Sequence, residues 1–114
     1  MKRLSFLKER FGHRVNFDRP ERKLYGHDIA AMPSLVKFLV GDTLPRAVVQ
    51  PEGEDEIIEL LRWANRERIP VVPRGKATSG YGGALPLKEA VVIDFWRMRK
   101  VLEVDPSAMT VTQV

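Results

Sequence analysis

Apolar positions near the start of the chain fall at Leu4, Leu7 and Phe11, a helical spacing, and Gly12 stands where such a helix would end. Residues 13–28 show no apolar period and contain Pro20 and Gly26, which reads as loop. "IAAMPSLVKFLVGD" supports two readings: a helix opened by Pro33 and running through Leu35, Phe38 and Leu39, or an apolar strap lying on a neighbouring surface. From Pro45 onward the pattern sharpens. "RAVVQP" is a β-branched run closed by a proline, as in a buried strand.

"EGEDEIIELLRWANRERI" predicts a helix from both its pattern and its charges. Gly53 is at the N-cap and Glu56 three residues on, with Glu54, Asp55 and Glu56 at the positive end of the helix dipole and Arg66 and Arg68 at the negative end. Ile57, Leu60, Leu61 and Ala64 form the apolar stripe. "PVVP", "AVVID", "VLEVD" and "MTVTQV" predict four further strands, with "FWRMRK" and "PSA" as turns. The result is an α+β fold in β-α-β-β-β order behind a helical and loop leader. A crossover helix allows the first two strands to be parallel, and the short later turns favour antiparallel pairs. The alternation breaks off at Val114 in mid-strand, so the chain is expected to be a piece of a longer polypeptide.

Charge and composition narrow this picture. Residues 1–23 hold eight Lys/Arg against three acids, so the net charge of +4 originates there and the remainder is close to neutral. A basic leader of this kind reads as a solvated, mobile arm, with docking to a partner, a membrane surface or nucleic acid as the alternative. The even charge of the rest argues against nucleic acid. With 114 residues the chain holds at most one domain. It has no cysteine, which removes disulfides, zinc–thiolate sites and cysteine-bound iron–sulfur clusters. No secretory leader and no apolar run of membrane-crossing length is present, in keeping with a cytoplasmic chain that is at most peripheral to a membrane.

Candidate chemistry concentrates in "RGKATSGYGGALP", residues 74–86, with four glycines in thirteen positions. It is not a Walker A loop, because Tyr81-Gly82 replace the Lys-Ser/Thr that must follow Gly80. The dinucleotide fingerprint fails as well: Gly80-x-Gly82 is followed by Leu85 and the loop leads through Pro86 to a strand. Two readings survive, a glycine-rich surface turn and an anion cradle. In the second, glycines let successive N–H groups face a phosphate, Thr78 and Ser79 add hydroxyls, and Arg74 pairs with charge or braces the loop. His13 and His27 are the only histidines and read as surface residues without a ligand cluster. Trp63 and Trp96 read as packing residues, and the acids at 52–56 as an exposed first turn rather than a catalytic pair.

The run from Pro45 to Pro86, followed by "VVIDFWRMRKVLEVDPSAMTVT", resembles the first half of the PCMH-type FAD-binding domain of the vanillyl-alcohol-oxidase family. It is most similar to the D-lactate and glycolate branch of D-2-hydroxyacid dehydrogenases. Four features carry the resemblance in order: the strand ending in Pro51, the amphipathic helix, "PRG" at 73–75 and "GGALP" at 82–86. "LYGHDIAAMPS" resembles the lead-in of that branch.

The charge and pattern give a basic leader and strap over 1–44, and the resemblance implies the first half of the FAD-binding domain over 45–114. It implies that the loop wraps the FAD diphosphate through backbone N–H groups of Gly75, Lys76, Ala77, Thr78 and Ser79, with Gly82 and Gly83, next to Arg74. Some members attach FAD through a loop histidine; Thr78 stands at the matching position, so non-covalent FAD is expected. Lys76-Ala77 replaces smaller or glycine residues of many relatives. The substrate would be a small 2-hydroxyacid handled by parts beyond Val114, with an iron–sulfur protein, a quinone or oxygen as electron acceptor. No catalytic or metal-binding residue is expected within the chain, and the fragment alone is expected to be inactive.

Overall fold

The computed structural model describes residues 2–27, 33–78 and 82–114, with the side chains of residues 2 and 3 left aside. Helix α1 (Lys2–Phe11) ends at Gly12, whose φ of +54° is left-handed, and a 3-10 turn over Gly12–Arg14 leads into strand β1 (Val15–Asn16). Helix α2 (Arg19–Leu24) and helix α3 (Ser34–Val40) follow. Then come β2 (Ala47–Val49), α4 (Glu54–Glu67), β3 (Val71–Arg74) and β4 (Val91–Asp94). A 3-10 turn over Phe95–Arg97 leads to β5 (Val101–Asp105) and β6 (Thr110–Gln113). The α+β reading and the predicted strands of residues 45–114 are all present.

Four strands form one sheet in the order β1-β2-β4-β3, with β4 parallel to both of its neighbours and β1 antiparallel to β2. The first two strands of the predicted unit are therefore parallel but not adjacent, since β4 lies between them. Val71 pairs with Val91 and Arg74 with Asp94, so the chain leaving the C-terminal end of β3 must return to the N-terminal end before β4 begins. Residues 75–90 make that return, with no helix among the described ones, and the distance covered accounts for the length of the glycine-rich loop. Beyond β4, the "FWRMRK" turn does not pair β4 with β5; β5 and β6 form a separate antiparallel hairpin.

Central parallel strands are apolar on both faces, and β2 and β4 are buried throughout. Side-chain alternation places Ala47, Val49, Val91 and Ile93 on one face, where they join Leu7, Phe11, Leu60, Trp63 and Ala64 in one cluster. Phe6 stacks on Trp63 at 5.7 Å and meets Phe11 edge-on at 6.5 Å. On α4 the predicted stripe is shifted: Leu60 and Ala64 are buried as expected, Trp63 joins them, and Leu61 faces outward. Arg68 lies past the helix as its left-handed C-cap.

Two expectations for the leader are corrected. It is not a mobile arm, because Leu7 and Phe11 are fully buried against α4 and the sheet. Its cations are also engaged: Arg10 pairs with Glu59 at 2.6 Å, and Arg14 donates to both oxygens of Glu56 at 2.5 and 3.0 Å. Nor is 13–28 simply loop, since β1 pairs Val15 with Val49, and Pro20 occupies the first turn of α2, where a missing N–H costs no helical bond. α3 takes the helical reading, yet Leu35, Phe38 and Leu39 are 71%, 83% and 75% exposed.

The Arg14–Glu56 pair also fixes the chain entering α4. Gly53 has no side chain, and Glu56 accepts from the Glu52 N–H at 3.3 Å while holding Arg14. The hydrogen bond from Arg14 keeps the Glu56 carboxyl below its ordinary value of 4.5. A depressed carboxylate stabilises the fold above its unfolded pKa, and this contribution drains as pH falls through the lower folded value. Arg14→Gln is expected to cost about 2 kcal/mol at neutral pH. Melting temperatures measured from pH 7 downward should then converge with wild type below pH 4.5; a constant gap would place the effect elsewhere.

Candidate functional site at the carboxyl ends of the parallel strands

The same alternation turns Val48, Gln50, Val92, Asp94 and Arg74 toward the opposite face of the sheet. Gln50, Arg74 and Asp94 stand at or just past the carboxyl ends of β2, β3 and β4, where open parallel sheets bind ligands. There they line a cleft of about 500 Å³ with Glu21, Tyr25, Lys76 and Trp96.

Asp94 is the buried centre, 5% exposed. Its Oδ2 accepts from the Tyr25 hydroxyl at 2.7 Å and from Gln50 Nε2 at 2.8 Å, and its Oδ1 accepts from the Trp96 N–H at 3.1 Å. Gln50 Oε1 in turn accepts from Arg97 Nε at 3.1 Å. Three hydrogen bonds compensate the desolvation of this carboxylate. Burial, and then the Asp94 hydrogen bond and charge, push the Tyr25 phenol up to about 12, so it remains a neutral donor at ordinary pH.

Arg74 leans over the Tyr25 ring, 5.0 Å from its centre. Its guanidinium donates to the carbonyls of His27 at 2.7 Å and of Leu24 and Tyr25 at 3.5 Å. These bonds tie Arg74 to the turn at 24–27 and not to the loop it opens.

The loop itself has two halves. From Gly82 the chain is pinned by its own bonds: Leu85 N–H to Gly82 at 3.2 Å, Leu87 N–H to Leu85 at 3.0 Å and Ala90 N–H to Leu87 at 3.2 Å. Gly82 has a φ of +80°, and a Cβ there would lie 3.0 Å from Leu85 Cδ1. In the first half, by contrast, the amides of Gly75, Lys76, Ala77 and Thr78 make no hydrogen bond among the described residues. A Cβ at Gly75 would meet nothing within 4 Å, so the space above it is open. Ser79 lies outside the described residues, and Gly83 sits in the turn that follows Gly82. Unpaired amides beside a lysine at the strand ends suit a diphosphate.

Ala77 has a φ of +53°, a conformation that costs a non-glycine residue about 1 kcal/mol. Ala77→Gly is expected to leave stability unchanged or raise it by up to about 1 kcal/mol, because relief of strain opposes added chain entropy. Urea unfolding checks this; a loss above 1 kcal/mol would contradict it.

The sequence model described as "FAD binding domain" matches residues 45–113. The chain belongs to this FAD-binding family. Among curated relatives, the glycolate oxidase subunit GlcD of Bacillus subtilis is 37% identical over 70 residues, which is 61% of this chain and 15% of the relative. A mitochondrial cytochrome-type D-lactate dehydrogenase of Arabidopsis thaliana is 32% identical over 98 residues, or 86% of this chain and 16% of that one. The chain thus spans about a sixth of the length of these relatives.

Among solved structures, an alkyldihydroxyacetonephosphate synthase superposes with a TM-score of 0.78 at 25% identity, over 96% of this chain and 21% of the other. p-Cresol methylhydroxylase superposes with a TM-score of 0.74 at 18% identity, a likeness of fold alone. The family resemblance and the expectation of FAD as cofactor hold, and the free amides of 75–78 fit that cofactor's diphosphate. Sequence reasoning passed over Tyr25, Gln50 and Asp94. The available signal was the acid that closes the apolar run "AVVID", an unusual end for a strand buried on both faces.

Proposed function

We propose that residues 45–114 are the first half of an FAD-binding domain in an oxidoreductase that acts on a D-2-hydroxyacid of the lactate or glycolate type. The observation that carries this reading is the run of amides from Gly75 to Thr78, unpaired among the described residues, at the carboxyl ends of three parallel strands. These amides, with Ser79, Gly82 and Gly83, receive the diphosphate; Lys76 supplies charge, and Arg74 holds the turn at 24–27 beside them. No histidine lies between 74 and 86, so this loop holds FAD without a histidyl bond. Bound flavin would supply the two-electron acceptor for oxidation of the hydroxyl-bearing carbon. This chain's residues bind and orient it, and substrate groups and the catalytic base belong to the rest of the polypeptide. The names of the curated relatives support the substrate class. An iron–sulfur protein or a quinone is the partner that fits electron export from such a flavin.

The intact gene product is expected to be yellow, to release FAD on denaturation, and to bleach anaerobically with D-lactate or glycolate. A colourless protein that cannot be reconstituted would favour a non-catalytic anion- or partner-binding module. Retained FAD that no 2-hydroxyacid reduces would remove the substrate class alone. Among the described residues no helix is long and apolar enough to cross a membrane.

A further inference from the structure

The Arg74 guanidinium reaches the turn that ends α2. Three carbonyls there, of Leu24, Tyr25 and His27, have Arg74 as their shared donor. Carbonyls at a helix C-terminus lack helical partners, and a planar fork of five donors can bridge several of them where an ammonium cannot. The turn is seated tightly on its other side. A Cβ at Gly26 would stand 3.0 Å from the Thr43 carbonyl oxygen, so the backbone at 26 lies directly against that of 43. Tyr25 then crosses the strand ends to Asp94, which is 69 residues away in sequence. Leu24 and Tyr25 line the same cleft as Gly75 and Lys76.

We propose that the turn 24–27, which lies outside the family match, is a wall of the diphosphate site, and that Arg74 is a positioning residue that holds it there. The inference rests on the reading that the loop binds the FAD diphosphate. Arg74 would set the distance between this wall and the first amides of the loop. Its charge is not the anion's counter-ion; Lys76, unpaired among the described residues, takes that role.

The test uses the intact gene product with Arg74→Lys, Arg74→Gln and Tyr25→Phe. Flavin affinity is read at several salt concentrations, and tryptic cleavage after Lys23 is read on flavin-free protein. Both Arg74 variants are expected to bind FAD about tenfold more weakly, equivalent to 1.4 kcal/mol, with the wild-type salt slope. They should also be nicked after Lys23 several times faster. Tyr25→Phe should act in the same direction, and with Arg74→Gln its effect should fall short of the product of the two, because both act through one turn. Full rescue of flavin affinity by lysine, or a flatter salt dependence in Arg74→Gln, would mean direct charge pairing and would overturn the proposal. Unchanged nicking in all variants would do the same. Cleavage is measured without flavin, so loss of the flavin reading itself is seen separately, as failure of wild type to bind FAD.

Discussion

Phe11→Ala is expected to destabilise the chain by about 3–5 kcal/mol and to lower its melting temperature by roughly 10–20 °C. Phe11 is 2% exposed, its ring meets Phe6 edge-on, and it belongs to the cluster that joins α1 to Leu60, Trp63 and the sheet. Truncation would leave a cavity bounded on several sides by elements that cannot all collapse into it. The loss is large against the 5–15 kcal/mol typical of a domain. Arg14 also lies over the same ring at 5.6 Å, so the ion pair to Glu56 would loosen with it. Circular dichroism melts of wild type and variant decide the matter. A shift below 3 °C would return the leader to the status of a detachable arm.

Gly75→Val should separate folding from cofactor retention. A Cβ at 75 meets no protein atom within 4 Å, and Gly75 is not among the residues with a left-handed φ, so the apo fold should hold to within about 0.5 kcal/mol. The same branched side chain would fill the space above the free amides. Flavin affinity in the intact gene product is expected to fall at least about a hundredfold, or 2.7 kcal/mol. Gly83→Val should also abolish flavin retention. Gly82→Ala makes the useful contrast: its φ of +80° and the nearby Leu85 would strain the loop even without ligand. Equilibrium dialysis of FAD with parallel thermal melts checks both halves. Wild-type flavin content in Gly75→Val would move the diphosphate away from this loop.

Local signals settled a good deal. The stripe and end charges of 54–67 sufficed for α4, because helix periodicity and dipole complementarity act within a few turns. β-branched runs bounded by Pro and Gly located each strand after Pro45, and glycine density marked the loop because backbone freedom is a property of single residues. The leader was misread where a non-local term competes with a local one. Its charge count suggested solvation, yet Leu7 and Phe11 become core only once α4 and the sheet offer a wall to bury against. Pro20 and Gly26 have the same ambiguity: each breaks a helix interior, but the first also opens a helix and the second allows close backbone approach.

The sequence by itself determined which segments were helix, strand and glycine-rich loop in residues 45–114, and that the loop had the makings of an anion cradle. Tertiary structure alone decided that β4 inserts between β2 and β3, and so that Gln50, Arg74 and Asp94 end up side by side. It also brought Tyr25 to Asp94 and turned Arg74 from the loop toward the carbonyls of 24–27. The reason is physical: propensity and periodicity are read over a few neighbouring residues, whereas strand order and register are chosen by burial of whole faces, and no short window of sequence contains both partners of such a contact.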